Sequence, residues 1–99
     1  MRKIILCCAG GMSTSLLVTK MNQAAKAQGL DYEIAAYPVA DVEKVASGAS
    51  IILLGPQVRF EMAKLRESLP CPVETIDMAA YGMMDGAAVI KQVRAAIGD

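Results

Sequence analysis

The stretch Ile4-Ile5-Leu6-Cys7-Cys8-Ala9-Gly10-Gly11-Met12-Ser13-Thr14-Ser15-Leu16-Leu17-Val18-Thr19-Lys20-Met21 decides the fold of this chain. From Ile4 to Cys8 it is apolar at every position, as in a strand covered on both faces. Ala9, Gly10 and Gly11 then make a turn of small residues, and Ser13, Thr14 and Ser15 supply hydroxyls where a helix begins. Leu17, Met21, Ala24 and Ala25 follow at helical spacing until Gly29 stops the pattern. The reading is a strand over residues 3–8, a glycine turn, and a helix over 12–28.

Outward from this unit the same alternation continues. Residues 32–37 read as a second strand ended by Pro38, and 41–46 as a short helix with Asp41 as its cap. Ile51-Ile52-Leu53-Leu54 forms a third buried strand, broken by Gly55-Pro56. Val58, Met62, Leu65 and Leu69 place a helix over 58–69, and Pro70-Cys71-Pro72 is a rigid turn. Residues 73–76 read as a fourth strand and 78–84 as a loop that can hold one helical turn. Asp85 caps a last helix over 86–97, with Val89, Ile90, Val93 and Ile97 inward. Strands alternating with helices pair in parallel through right-handed crossovers. Ligands of such folds bind beyond the carboxyl ends of the strands, where the turns at 8–15, 55–57 and 77–85 meet.

Composition narrows the function. The 99 residues suit one domain, spanning 1–99. A hydrophobic fraction of 55% with zero net charge argues against nucleic acid as a main partner. No apolar run approaches the roughly 18 residues of a membrane span. Met1-Arg2-Lys3-Ile4 resembles a signal peptide only superficially, because the apolar stretch is short and leads into a patterned helix. The expected location is cytoplasmic, without membrane insertion. The three cysteines, two of them adjacent, do not form a disulfide framework. With no histidine, the commonest general base is missing, and a transferable phosphoryl group must sit on another side chain. Nothing in the chain calls for a metal or a cofactor.

The strand, glycine turn and helix start together make an anion cradle. Backbone N–H groups of such a turn point at a tetrahedral oxyanion, with the positive end of the helix dipole behind them. Cys8 stands at the mouth of this cradle, at the strand-to-loop transition, where a helix N-terminus stabilises a thiolate. Cys7 belongs to the strand proper and reads as a buried small hydrophobe, a common fate for cysteine. A glycine turn with a hydroxyl cap is ordinary on its own. Glycines, three hydroxyls and a preceding cysteine within eight residues carry more weight. A nucleophile beside a phosphate cradle points to phosphoryl transfer through a phosphocysteine.

Absent motifs sharpen this. The loop has no lysine for a Walker phosphate loop, and no G-x-G-x-x-G with a later acidic residue. A C-x5-R phosphatase needs an arginine six positions after the nucleophile, and that position is Thr14. Without a guanidinium, such a loop holds a phosphoryl group without strongly promoting attack by water. That suits a carrier better than a hydrolase.

The segment from Cys8 to Val18, with Lys20-Met21, resembles the active-site segment of enzyme IIB components of the bacterial sugar phosphotransferase system, of the lactose/cellobiose (N,N′-diacetylchitobiose) type. Leu53-Leu54-Gly55-Pro56-Gln57 resembles that family's third-strand turn. Pro72-Val73-Glu74-Thr75-Ile76-Asp77, Tyr81-Gly82 and Asp85-Gly86 resemble its fourth strand and last loop. The resemblance spans nearly the whole chain in order and spacing. It implies an α/β, three-layer domain with a four-stranded parallel sheet of order 2-1-3-4 flanked by helices, similar to low-molecular-weight phosphotyrosine phosphatases. It also implies a relay from phosphohistidine of a IIA protein, through Cys8, to a sugar held by the membrane permease IIC. The loop Ala9, Gly10, Gly11, Met12, Ser13, Thr14 and Ser15 would bind the phosphoryl group. Gly10 departs from the pattern, since relatives often carry another small residue there.

Gln57 and Tyr81 lie on the two other turns and are accessory candidates, against a plain turn role. Asp77 and Asp85 read as caps, since a carboxylate near a phosphocysteine repels it. Cys71 reads as a turn residue. Met78, Met83 and Met84 read equally as a docking patch or as loop packing. Arg59, Lys64 and Arg66 read as a solvated helix face. The alternatives are a phosphatase or arsenate-reductase-like enzyme, which Thr14 argues against, and a non-catalytic receiver or anion-sensing module. A receiver needs an acidic residue at the end of its third strand, where this chain has Leu54-Gly55.

Overall fold

The apolar run at residues 4–8 takes the interior of a sheet. In the computed structural model, which describes residues 2–8 and 12–99, β1 (Arg2–Cys8) lies between β2 (Tyr32–Pro38) and β3 (Ile51–Leu54). β4 (Val73–Thr75) pairs with the outer side of β3. All pairings are parallel, in the order β2-β1-β3-β4, with Ile4 opposite Ile51, Leu6 opposite Leu53 and Cys7 opposite Leu54. The expected sheet is therefore the observed one.

Successive strand residues point to opposite faces, and β1 uses both. Ile4 and Leu6 join Ile34, Ile51 and Leu53 under α1 (Met12–Ala27) and α5 (Gly86–Ile97), which contribute Leu17, Met21, Ala25, Val89, Ile90 and Val93. Ile5 and Cys7 join Ile52, Leu54 and Val73 on the other face, covered by Val42 of α2 (Val42–Val45), Val58, and Leu65 of α3 (Met62–Ser68). The two helical layers explain why β1 and β3 are apolar without alternation.

Two local features aim the helices. Gly29, at φ +69°, turns the chain left-handed after α1. Gly86 opens α5 against the backbone of α1. A Cβ there would lie 2.5 Å from the Met21 nitrogen and 2.6 Å from the Lys20 carbonyl oxygen, so only glycine lets the helices approach this closely.

The structure corrects two expectations. The helix over 58–69 is not continuous: a 3-10 turn at Pro56–Glu61 precedes α3, and Val58 departs from helical geometry at φ −123°, ψ 15°. Pro56 starts a tight turn, the Val58 N–H donates back to the Gly55 carbonyl at 3.0 Å, and the Val58 side chain turns into the core. Asp41 gives no side-chain cap to α2. A 3-10 turn at Val39–Asp41 precedes that helix, and the Val42 N–H already bonds the Val39 carbonyl. The helical turn that the sequence allowed within 78–84 is present as the short helix α4 (Met78–Gly82), started by the Asp77 carboxylate, which accepts from the Ala80 N–H at 3.0 Å. Asp85 caps α5 as expected, accepting from the Ala88 N–H at 3.1 Å.

Arg66 is not simply solvated. Its Nε donates to the Val73 carbonyl at 2.9 Å and its Nη2 to Glu74 at 2.6 Å. From the other layer, Gln92 Nε2 donates to the Thr75 carbonyl at 2.7 Å. These two side chains occupy the outer carbonyls of β4, which blunts an edge strand.

Candidate functional site

Cys8 is the last residue of β1, opposite Pro38. Strand alternation gives it the face of Ile4 and Leu6, the side covered by α1 and α5. It is 7% exposed, so the site sits at the rim of the core. Cys7 points into the opposite core and is fully buried. Burial pushes its thiol from the ordinary 9.0 to about 12, with Cys8 and Cys71 adding smaller electrostatic contributions. Cys7 thus stays a neutral thiol, as the strand position suggests. Cys71 is half-buried against the same core, and burial raises its thiol as well.

Ala9, Gly10 and Gly11 lie outside the described residues, as do the side chains of Met12 and Ser13. Met12 and Ser13 are the first residues of α1, a helix of 16 residues with no acidic residue in its first turn. The helix therefore presents its positive dipole end just after Cys8, unopposed by a local carboxylate. Ser15 is exposed, and its carbonyl accepts from Thr19 Oγ1 at 3.2 Å. Thr14, six positions after Cys8, is 2% exposed. Its first-turn site is packed around a small hydroxyl side chain, with no room for a guanidinium unless neighbours move.

Gln57 and Tyr81 come together from different segments. Gln57 Nε2 donates to the Tyr81 hydroxyl at 3.5 Å. Both converge on Gly55, whose N–H donates to the Cys7 carbonyl at 2.8 Å. A Cβ on Gly55 would meet Gln57 Oε1 at 3.1 Å, the Cys7 carbonyl oxygen at 3.5 Å and the Tyr81 ring at 3.8 Å. Glycine at 55 therefore lets Gln57 and Tyr81 pack close to the Cys7 carbonyl, one residue from Cys8. Tyr81 sits in α4 rather than in a loop, partly buried against the core that Ile4 and Leu6 share.

Among the described residues the large exposed hydrophobics are Leu16, Phe60, Met78 and Met83, with Phe60 at 76% and Met83 at 77% exposure. All follow the carboxyl ends of strands, the end that carries Cys8. Met84 instead packs against the core, at φ +51°. Arg59 reaches across to α4, its Nη1 4.0 Å from the Met78 sulfur, while Lys64 is exposed. A surface cavity of about 660 Å³ lined by Gln28, Lys91, Arg94 and Asp99 lies where α1 and α5 end, away from Cys8. Its polar groups engage each other: Arg94 donates to Gln28 at 3.0 Å and to the Asp99 carbonyl at 3.2 Å. Among the described residues no cluster of His, Cys, Asp or Glu could hold a metal ion.

Sequence reasoning missed Gln92. Besides the Thr75 carbonyl, it accepts from the Asp77 N–H at 3.1 Å and so holds the turn that launches α4. Nothing in an exposed glutamine on a helix signals such a role. Gly86 carried a signal, since glycine is a poor choice at a helix start unless another backbone approaches.

Comparison with known proteins agrees with this architecture. The family described as "PTS system, Lactose/Cellobiose specific IIB subunit" matches residues 3–92. A galactose-specific EIIB component of Lactococcus lactis subsp. cremoris is 47% identical over 95 residues, covering 88% of both chains. An oligo-beta-mannoside-specific EIIB component of Bacillus subtilis is 43% identical over 95 residues, covering 93% of this chain and 92% of the relative. The solution structure of a cellobiose-specific IIB component from Borrelia burgdorferi is 32% identical with a TM-score of 0.80, covering 98% of this chain and 92% of that one. A lactose-specific IIB domain from Streptococcus pneumoniae shares the fold at a TM-score of 0.84 and 17% identity, with 96% of both chains covered. With the family match over residues 3–92, the identity of the relatives and the shared fold in agreement, the chain belongs to the lactose/cellobiose-specific IIB family of the sugar phosphotransferase system.

Proposed function

We propose that this chain carries a phosphoryl group on Cys8, taken from phosphohistidine of a IIA protein and passed to a sugar bound by the membrane permease IIC. The observation that carries the reading is the contrast between two adjacent thiols. Cys7 is locked neutral in the core, whereas Cys8 ends the strand directly before the turn into α1. In the first step the Cys8 thiolate attacks phosphorus in line. The S–P bond forms as the P–N bond breaks, and the leaving imidazole nitrogen keeps the electron pair. The turn from Ala9 to Ser15 and the α1 dipole stabilise the equatorial oxygens. In the second step a sugar hydroxyl forms the O–P bond, its proton goes to a base of the permease, and the thiolate is regenerated.

The exposed ring of Leu16, Phe60, Met78 and Met83 supports protein partners at this end of the sheet. No described helix is long and apolar enough to cross a membrane, in keeping with a cytoplasmic carrier that meets the membrane through IIC. The sugar is chosen elsewhere. Relatives named for galactose and for cellobiose are equally similar, at 47% identity. Storage is favoured over hydrolysis because Thr14, not an arginine, stands six positions after Cys8. The test follows labelled phosphate from phosphorylated IIA. It should load the chain, persist in buffer, and leave when permease membranes and a β-glucoside or galactoside are added. Rapid arylphosphate turnover without loading from IIA would favour the phosphatase reading instead.

A further inference from the structure

We propose that Gln57 is a direct ligand of the phosphoryl group on Cys8, and that Tyr81 is the residue that positions it. The inference rests on Cys8 being the phosphoryl carrier. Three observations converge. The Gly55 N–H holds the Cys7 carbonyl at 2.8 Å, so the turn after β3 is fastened to the end of β1 immediately before Cys8. With no side chain on Gly55, Gln57 Oε1 and the Tyr81 ring close on the turn beside the Cys7 carbonyl, where a Cβ would lie 3.1 Å from Gln57 Oε1. Tyr81 packs against the core on the α1 and α5 face, the face that strand alternation gives to Cys8.

The chemistry of a carboxamide fits this place. Gln57 Nε2 has two protons, and one goes to the Tyr81 hydroxyl at 3.5 Å. That bond orients the amide and leaves the second N–H to donate to an oxyanion. A neutral donor suits a carrier, since it holds a dianion without the charge that an arginine would bring to a hydrolytic transition state. The position of Tyr81 is itself fixed. Gln92 accepts from the Asp77 N–H at 3.1 Å, and Asp77 caps α4 through Ala80 at 3.0 Å. A larger residue at 55 would push against Gln57 Oε1.

The experiment loads parent, Gln57→Glu, Gln57→Ala and Tyr81→Phe proteins from phosphorylated IIA in single turnovers at several IIA concentrations. Intact mass first reports whether Cys8 is loaded. Gln57→Glu keeps the shape but sets a carboxylate toward the dianion. Loss of a charge-assisted hydrogen bond corresponds to roughly 10- to 100-fold. The maximal rate in Gln57→Glu and Gln57→Ala should fall by that factor, with the half-saturating IIA concentration little changed. Tyr81→Phe should fall less, because the amide remains but is no longer oriented. In the parent, the Gln57 side-chain amide resonance should move downfield when Cys8 is loaded, and in Tyr81→Phe the movement should shrink. Parent-like maximal rates in both Gln57 variants, or an effect confined to half-saturation, would overturn the proposal while leaving the carrier role intact. If Cys8 takes no phosphoryl group, both fall.

Discussion

Replacing Gly86 with alanine sets two effects of known sign against each other. At the first residue of α5, alanine is the better helix former by up to about 1 kcal/mol. Against this, its Cβ would sit 2.5 Å from the Met21 nitrogen and 2.6 Å from the Lys20 carbonyl oxygen. Both are backbone atoms and cannot rotate away, so α5 must move off α1. Overpacking of this kind costs roughly 1–3 kcal/mol. The clash wins, and we expect a net loss of about 1–2 kcal/mol, or roughly 5–10 °C in Tm for a chain of this size. Gly82 provides the control. A Cβ there meets nothing within 4 Å, so Gly82→Ala should be neutral or slightly stabilising. Urea melts with unchanged m-values measure both. A Gly86→Ala protein as stable as the parent would refute the steric argument. Under the proposed function, transfer should follow stability, because α1 begins directly after the proposed phosphate loop and Gly86 fixes where that helix lies.

Two further outcomes follow from the site. The Cys7 thiol is raised from 9.0 to about 12 in the fold, so its stabilising contribution is complete below the unfolded value and is lost as pH rises between the two. The loss amounts to roughly 4 kcal/mol at most. Tyr32, raised to about 12 by burial and then by its bond to Asp99, adds to the same window. Urea melts at about pH 8 and about pH 11 should show a smaller loss in Cys7→Val than in the parent; equal losses would remove Cys7 as a cause. Thr14→Arg should destabilise the protein by more than about 2 kcal/mol, since it forces both volume and charge into a buried first-turn position. Thr14→Ser should be far milder, and a Thr14→Arg protein that melts with the parent would show the position to be roomier than its burial indicates.

Much of the architecture was legible because each element carried a local signal that agreed with the packing. The runs at 4–8 and 51–54 lack alternation, and both turned out to be interior strands with helices on each face. Gly29 and Asp85 ended and began helices by their own chemistry. The readings that failed concern competition between local and tertiary demands. The spacing of Val58, Met62, Leu65 and Leu69 is helical, yet Pro56 and the pull of Val58 into the core produce a 3-10 turn first. Asp41 has the right residue type for a cap, but it closes a 3-10 turn at φ −98°, ψ 0°, not in the extended backbone from which a side chain reaches the N–H groups of the first helical turn. The roles of Arg66 and Gln92 depend on which edge of the sheet is open, a long-range fact that a solvated helix face does not advertise. For the site, the place of Cys8 at the end of β1 was legible from the apolar run that stops at the glycines, and its chemical role is the proposal made above. The meeting of Gln57 with Tyr81 was not, because it depends on where α4 lands.

The central claim is that Cys8, and not its neighbour, bears the phosphoryl group. Intact-protein mass spectrometry after incubation with phosphorylated IIA tests it directly in parent, Cys7→Ser and Cys8→Ser proteins. Parent and Cys7→Ser should each gain one phosphoryl group, with Cys7→Ser losing some stability from a buried hydroxyl. Cys8→Ser should gain none while keeping the parent's fold, because an alcohol is scarcely ionised where a thiol can be. A folded Cys8→Ser protein that still acquires the phosphoryl group would contradict the account.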